Sequence, residues 1–206
     1  MKRLPKTTIG VLSLSVAAAI FPDLSSAMIY SRSAMTSGEV WRMISCHFVH
    51  FDLLHLTYNL LAFGVAGVII ENRGYPYFKS LLFSTALTIS FVLFLFKPNM
   101  TLYGGLSGLA CGSILYFAFW GIIESQPWRT TCFLLIFLIL LKISLEFIYG
   151  SSALPFSWEN TFVIAPLSHL TGALSAALFF IFGIYRHNKT GTTSQKPLQV
   201  EPNHAV

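Results

Sequence analysis

Four polar side chains in an otherwise apolar chain have the types that acyl-transfer chemistry needs. They are Ser107 in "GGLSG", His169 in "SHLTG", and His55 and Asn59 in "HLTYN". A serine hydroxyl is a poor nucleophile until a base takes its proton, and a neutral imidazole is the usual base. General-base help of that kind is worth roughly 10²- to 10⁴-fold in rate. The tetrahedral intermediate that follows needs hydrogen-bond donors for its oxyanion. His55 and Asn59, spaced i, i+4 on one helix face, can supply them together with the backbone N–H groups of Gly105 and Leu106 at the mouth of the serine's helix. No Asp or Glu lies near His169 in sequence to orient it, so the expectation is a Ser107 and His169 dyad without a third member.

The elements that hold these residues are membrane helices. In 206 residues the chain is 54% hydrophobic and only 10% charged, with a mean hydropathy of +0.67, too few charges to clothe a soluble globule. Apolar runs able to cross roughly 30 Å of hydrocarbon lie at 7 to 22, 51 to 70, 77 to 96, 106 to 123, 131 to 149 and 162 to 185. The expected fold is therefore an all-α membrane protein, a bundle of six transmembrane helices over residues 1–185, followed by a disordered cytoplasmic tail over 186–206. Pro22 cuts the first run short, and the first 27 residues imitate a secretory signal peptide. An uncleaved first helix fits the six-helix topology better. Between the first two runs a long connector mixes aromatic, basic and apolar residues, as a segment at the bilayer interface would.

The net charge of +5 comes from 13 Lys and Arg against 8 Asp and Glu. Lys2, Arg3, Lys6, Arg73, Lys79, Arg129, Arg186, Lys189 and Lys196 all fall on one side of the six-helix arrangement, and only Arg32, Arg42 and Lys97 on the other. The pattern reads as orientation in a bilayer with both termini cytoplasmic, and not as nucleic-acid binding. Runs two, four and six then start at the outer surface. Asn59 lies roughly eight residues into the second run and His169 roughly seven into the sixth, so at about 1.5 Å per residue both sit, with Ser107, on the order of 10 Å deep. Gly108 and Gly112 on one helix, and Gly172, Ala173 and Ala176 on the other, are small residues that let two membrane helices approach closely. Independent packing choices would not gather polar groups in one layer, although a lone Gly-Ser-Gly in a membrane helix is usually packing.

Other features carry less. Cys46, Cys111 and Cys132 show no paired spacing, so neither a disulfide framework nor a zinc knuckle is expected, and no metal or other cofactor is called for. His47, His50 and His55 are the residues a haem or metal would need if one were bound. Lys142 and Glu146, spaced i, i+4, most simply form an intramembrane ion pair, with a gate toward lipid as the functional alternative. "GGLSG" is no phosphate loop, because no lysine follows it.

Taken together, residues from about 38 to 177 resemble the rhomboid intramembrane serine proteases. The resemblance rests on "WR" at Trp41 and Arg42, "HFVHFDLLHLTYN" ending at Asn59, "ENR" at Glu71 to Arg73, "GGLSG" at Gly104 to Gly108 and "SHLTG" at Ser168 to Gly172. It implies a six-helix bundle with a Ser107 and His169 dyad, an oxyanion site at His55 and Asn59, a lipid-embedded loop carrying Trp41 and Arg42, and membrane-anchored protein substrates. Two positions depart from the family pattern: Ser168 stands where Ala is frequent, and Cys111 where a Tyr often stacks on the catalytic histidine. The compact length and "WRMISCHFVH" look most similar to the rhombosortase branch, which is implied to process exported bacterial proteins bearing a C-terminal Gly-Gly motif, helix and basic tail. The resemblance thus places the chain in a bacterial inner membrane with its active site open to the outer side. A catalytically inactive relative that binds transmembrane helices is the alternative.

Overall fold

A computed structural model describes residues 4–150 and 166–191. Helix α1 (Lys6–Ile20) ends where Pro22 removes a backbone donor, and α2 (Pro22–Met28) starts on that proline and turns away by 114°. The connector that follows is not an irregular loop. It folds into strand β1 (Tyr30–Ser31), the short helices α3 (Arg32–Thr36) and α4 (Arg42–Ser45), and a 3₁₀ turn over Cys46–Phe48. Helix α5 (Leu53–Arg73) is capped at its start by Asp52, whose carboxylate accepts from the His55 N–H at 2.7 Å, and at its end by Gly74 in the left-handed conformation. Then come α6 (Phe78–Phe96), strand β2 (Leu102–Tyr103), α7 (Ser107–Gly121), α8 (Trp128–Tyr149) and α9 (Pro166–Gly191).

The result is the expected all-α membrane bundle, with one difference of length. Helices α5, α6, α8 and α9 are long and apolar enough to cross a membrane, and the bent α1–α2 pair makes a fifth candidate. Helix α7 has only 15 residues, about 22 Å at 1.5 Å per residue against roughly 30 Å of hydrocarbon. It is the core of the bundle. Glycines let its neighbours close on it: a Cβ added at Gly112 would stand 2.9 Å from the Gly172 carbonyl of α9, and one at Gly183 would stand 2.8 Å from the Trp120 ring. Lipid tails are as apolar as leucine, so this fit, and not hydrophobic transfer, holds the helices together.

The two ends of the bundle are tied differently. At one end Glu71 caps α1, accepting from Thr7 N–H at 3.0 Å, Thr8 N–H at 2.8 Å and the Thr8 hydroxyl at 2.6 Å. Arg73 and Tyr75 both bond Glu124 beside it, and Arg73 lies 4.4 Å over the Trp128 ring. At the other end Arg32 donates to the Phe94 and Pro98 carbonyls at the exit of α6. Arg42 is 8% exposed and fastens α2 to α4, donating to the Ser26 and Ile29 carbonyls at 2.7 and 2.8 Å and to Glu39. Trp41 stays exposed, with its indole N–H on the Ala27 carbonyl at 3.1 Å.

Helix α9 also differs from expectation at its far end. Residues 186 to 191 continue the helix where the sequence predicts the start of a disordered tail, and Arg186 lies 6.0 Å over the Phe182 ring one turn back. The rest of that expected tail lies outside the described residues, as does the expected start of the sixth span at 162 to 165.

Candidate active site

Ser107 is delivered by a short extended arm. Strand β2 pairs antiparallel with β1, Tyr103 opposite Tyr30. The chain then runs along the 3₁₀ turn, with Gly105 N–H on the Cys46 carbonyl at 3.2 Å, and α7 begins at Ser107 itself. Gly105 has a φ of +141°, a conformation L side chains rarely adopt. Its missing side chain leaves a gap: a Cβ there would stand 3.2 Å from His55 Cε1 and 4.0 Å from Ser107 Oγ. The hydroxyl and one imidazole of the expected oxyanion pair therefore flank a single space. Because Ser107 opens the helix, its own N–H and those of Gly108 and Leu109 lack i−4 partners and carry the positive end of the helix dipole.

The remaining expected donors divide. Asn59 is 5% exposed, one turn beyond His55, and its amide nitrogen has no hydrogen-bond partner among the described residues. A buried donor left unpaired is costly, which marks Asn59 as a group awaiting an acceptor. Gly105 and Leu106, by contrast, have their N–H groups engaged within the protein. Gly105 is bonded to Cys46, and Leu106 donates to His50 Nε2 at 3.3 Å. These two residues shape the site and hold the arm in place. His50 can accept because its other nitrogen faces the Phe48 carbonyl at 3.3 Å, and because burial, helped by nearby His55, lowers its pKa to about 4 and keeps it neutral.

His169 sits on α9, 6% exposed. A Cβ at Gly108 would stand 3.0 Å from the Ser168 carbonyl and 3.3 Å from Ser168 Cβ, so the residues next to Ser107 and His169 are in backbone contact. Cys111, one turn after Ser107, points at the His169 carbonyl at 3.6 Å, which makes it a pocket-lining residue bonded to the main chain. The imidazole is held elsewhere. Its Nδ1 lies 2.6 Å from a Glu146 carboxylate oxygen, and the other oxygen of Glu146 takes the Lys142 ammonium at 2.6 Å. The expected Lys142–Glu146 ion pair is present. The expectation that no carboxylate reaches the layer of His169 is corrected: Glu146 does so from α8. Sequence distance hid it, and the available signal was an acid in an apolar helix, which must find partners inside the protein.

The three histidines weighed for a haem or metal are separated by what they bond. His47 is fully buried against the Ala86 carbonyl at 2.9 Å and the Ser90 hydroxyl at 3.2 Å, whereas His50 and His55 meet edge to face with ring centres 5.2 Å apart. Among the described residues no group of three His, Cys, Asp or Glu is placed to hold a metal ion.

A hydroxyl at a helix start with an imidazole beside it, a buried amide without a partner among the described residues, and an imidazole backed by a carboxylate thus stand on α7, α5 and α9, and α7 packs against both of the others. The family model described as Rhomboid domain matches residues 37–186. The chain belongs to the rhomboid family. Rhomboids are intramembrane serine proteases that act on membrane-anchored substrates within the bilayer. The match takes in every expected site residue, from the loop of Trp41 and Arg42 through His55, Asn59 and Ser107 to His169. No curated protein matches the chain.

Proposed function

We propose that this rhomboid is an active serine endopeptidase that cleaves membrane-anchored proteins in or beside their transmembrane segments. Ser107 Oγ attacks the scissile carbonyl carbon while its proton passes to His169 Nε2. The carbonyl electron pair moves onto oxygen, which enters the space beside Gly105 between His55, Asn59 and the first N–H groups of α7. Collapse of the intermediate expels the amine, which takes its proton from His169, and water then releases the acyl group from Ser107 by the same steps in reverse. The observation that carries this reading is the gap at Gly105, flanked by Ser107 Oγ and His55 Cε1, and one turn beyond His55 stands Asn59, whose amide nitrogen has no partner among the described residues.

The reading extends to orientation. Arg73, Arg129 and Lys6 all lie at the end where Glu71 and Glu124 tie the helices, while Arg32 and Arg42 at the opposite end are engaged with backbone carbonyls. That asymmetry supports cytoplasmic termini and a site open to the outer face of a bacterial inner membrane. The substrates proposed are exported proteins with a C-terminal Gly-Gly motif, helix and basic tail, the rhombosortase type. The test is co-expression with a secreted reporter carrying such a tail. Release of the reporter by the wild type and retention by Ser107→Ala is expected. Release of an ordinary membrane-anchored reporter with the Gly-Gly tail left uncut would point to a general rhomboid endopeptidase. Binding of both without cleavage would show an inactive helix-binding relative.

A further inference from the structure

We propose that Glu146 is a positioning residue for His169, making a Ser107, His169 and Glu146 relay whose carboxylate arrives from a helix that is otherwise turned to lipid. The inference rests on the proteolytic reading and deepens it. Of the 22 residues of α8 only Cys132, Ile143 and Glu146 are buried. An ion pair between residues i and i+4 needs no third partner, and on a lipid-facing helix it would be cheapest near the surface, where the lysine reaches water. Here the carboxylate is turned inward instead, 2% exposed, with one oxygen on Lys142 and the other on His169 Nδ1.

The three contacts have one consistent protonation. A carboxylate 2.6 Å from an ammonium is ionised, so Glu146 accepts on both oxygens, and His169 must donate from Nδ1. The 3.3 Å approach of Lys142 Nζ to the same nitrogen is then a close approach of two donors and not a bond. With the proton fixed on Nδ1, the lone pair is on Nε2, the nitrogen that takes the Ser107 proton. Among the described residues no other hydrogen bond fixes the ring: the Cys111 thiol bonds its backbone carbonyl. During attack the proton moves from Ser107 Oγ to Nε2 and no further. Glu146 stays ionised and stabilises the imidazolium, as a buried carboxylate does behind the histidine of other serine hydrolases. Lys142 keeps Glu146 charged in a low-dielectric setting.

The test uses the full-length protein in detergent with a fluorophosphonate probe and a cleavable transmembrane reporter. Glu146→Gln is expected to lower kcat at least about 10²-fold with KM within twofold, and Glu146→Asp to recover part of the loss. Wild-type kcat in Glu146→Gln would overturn the proposal. A second measurement needs no variant of Glu146: imidazole ¹⁵N spectra, with His169 assigned by difference from His169→Ala, should show protonated Nδ1 and bare Nε2. The opposite tautomer would overturn the proposal even if Glu146→Gln failed to fold. If the wild type neither labels nor cleaves, the proteolytic reading fails by itself, and the tautomer still decides what Glu146 does to His169.

Discussion

Helices α7 and α8 are consecutive in the chain and equally apolar to the eye, yet they live in different surroundings. Twelve of the 15 residues of α7 are buried, and its glycines put backbone against backbone with α9. In α8 three of 22 residues are buried, and Phe133, Phe137 and Ile148 are each more than half exposed. The difference separates two tasks. The serine sits on the most buried helix, in keeping with an attack geometry that tolerates little error. The carboxylate that touches His169 sits on a helix with most of its residues uncovered, so the imidazole links the most buried helix's neighbour, α9, to that outer helix.

This contrast can be broken from either side. The largest effect is expected at Gly172, where a Cβ would fall far inside the distance allowed to the Gly108 carbonyl. Gly172→Val should lower stability by about 1 to 3 kcal/mol or more and abolish activity, read as a lowered detergent Tm and loss of labelling. A Tm equal to wild type would mean that α7 and α9 are not closely packed. Next is Asn59→Ala, which removes a donor without a partner among the described residues. Turnover should fall roughly 10²- to 10³-fold while Tm is kept or raised, and unchanged turnover would remove Asn59 from the oxyanion site.

A pH effect comes third. Burial lowers the pKa values of His47 and His50 from 6.5 to about 4, so the unfolded chain binds more protons than the native one between those values. Stability should therefore fall as the pH drops from about 6.5 toward 4 and change little above 7, measured as Tm against pH. His50→Gln should flatten part of that slope and loosen the arm held through Leu106. The smallest effect belongs to the face of α8 turned to lipid: Phe137→Ala, at a residue 61% exposed, should leave Tm and turnover nearly unchanged. A large loss there would show that α8 is packed against something on that face.

The helices were legible because hydropathy and punctuation agree, although the shortness of α7 was not. Residues 51 to 70, 77 to 96 and 106 to 123 become Leu53–Arg73, Phe78–Phe96 and Ser107–Gly121, bounded by Asp52, Gly74 and the glycines before Ser107. The expected common layer of Ser107, Asn59 and His169 came from depth alone, since helical rise converts residue number into position along the bundle. The bond from Glu146 to His169 was not, because it depends on the rotation of α8 about its own axis, which an apolar helix with exposed residues all round does not encode. The polar segment after Tyr185 reads as disordered by composition, yet its first residues stay helical as an extension of an already nucleated helix. Gly105 and Leu106 were expected to offer their N–H groups to the site, and that these groups belong to Cys46 and His50 instead is a matter of tertiary contact.

The central claim is that Ser107 is a nucleophile activated by His169. It is tested most directly by treating the purified full-length protein with a fluorophosphonate and locating the adduct by mass spectrometry. One adduct is expected, on Ser107, formed by the wild type and absent from His169→Ala under the same conditions. An adduct on another residue, or equal modification of Ser107 in His169→Ala, would contradict it.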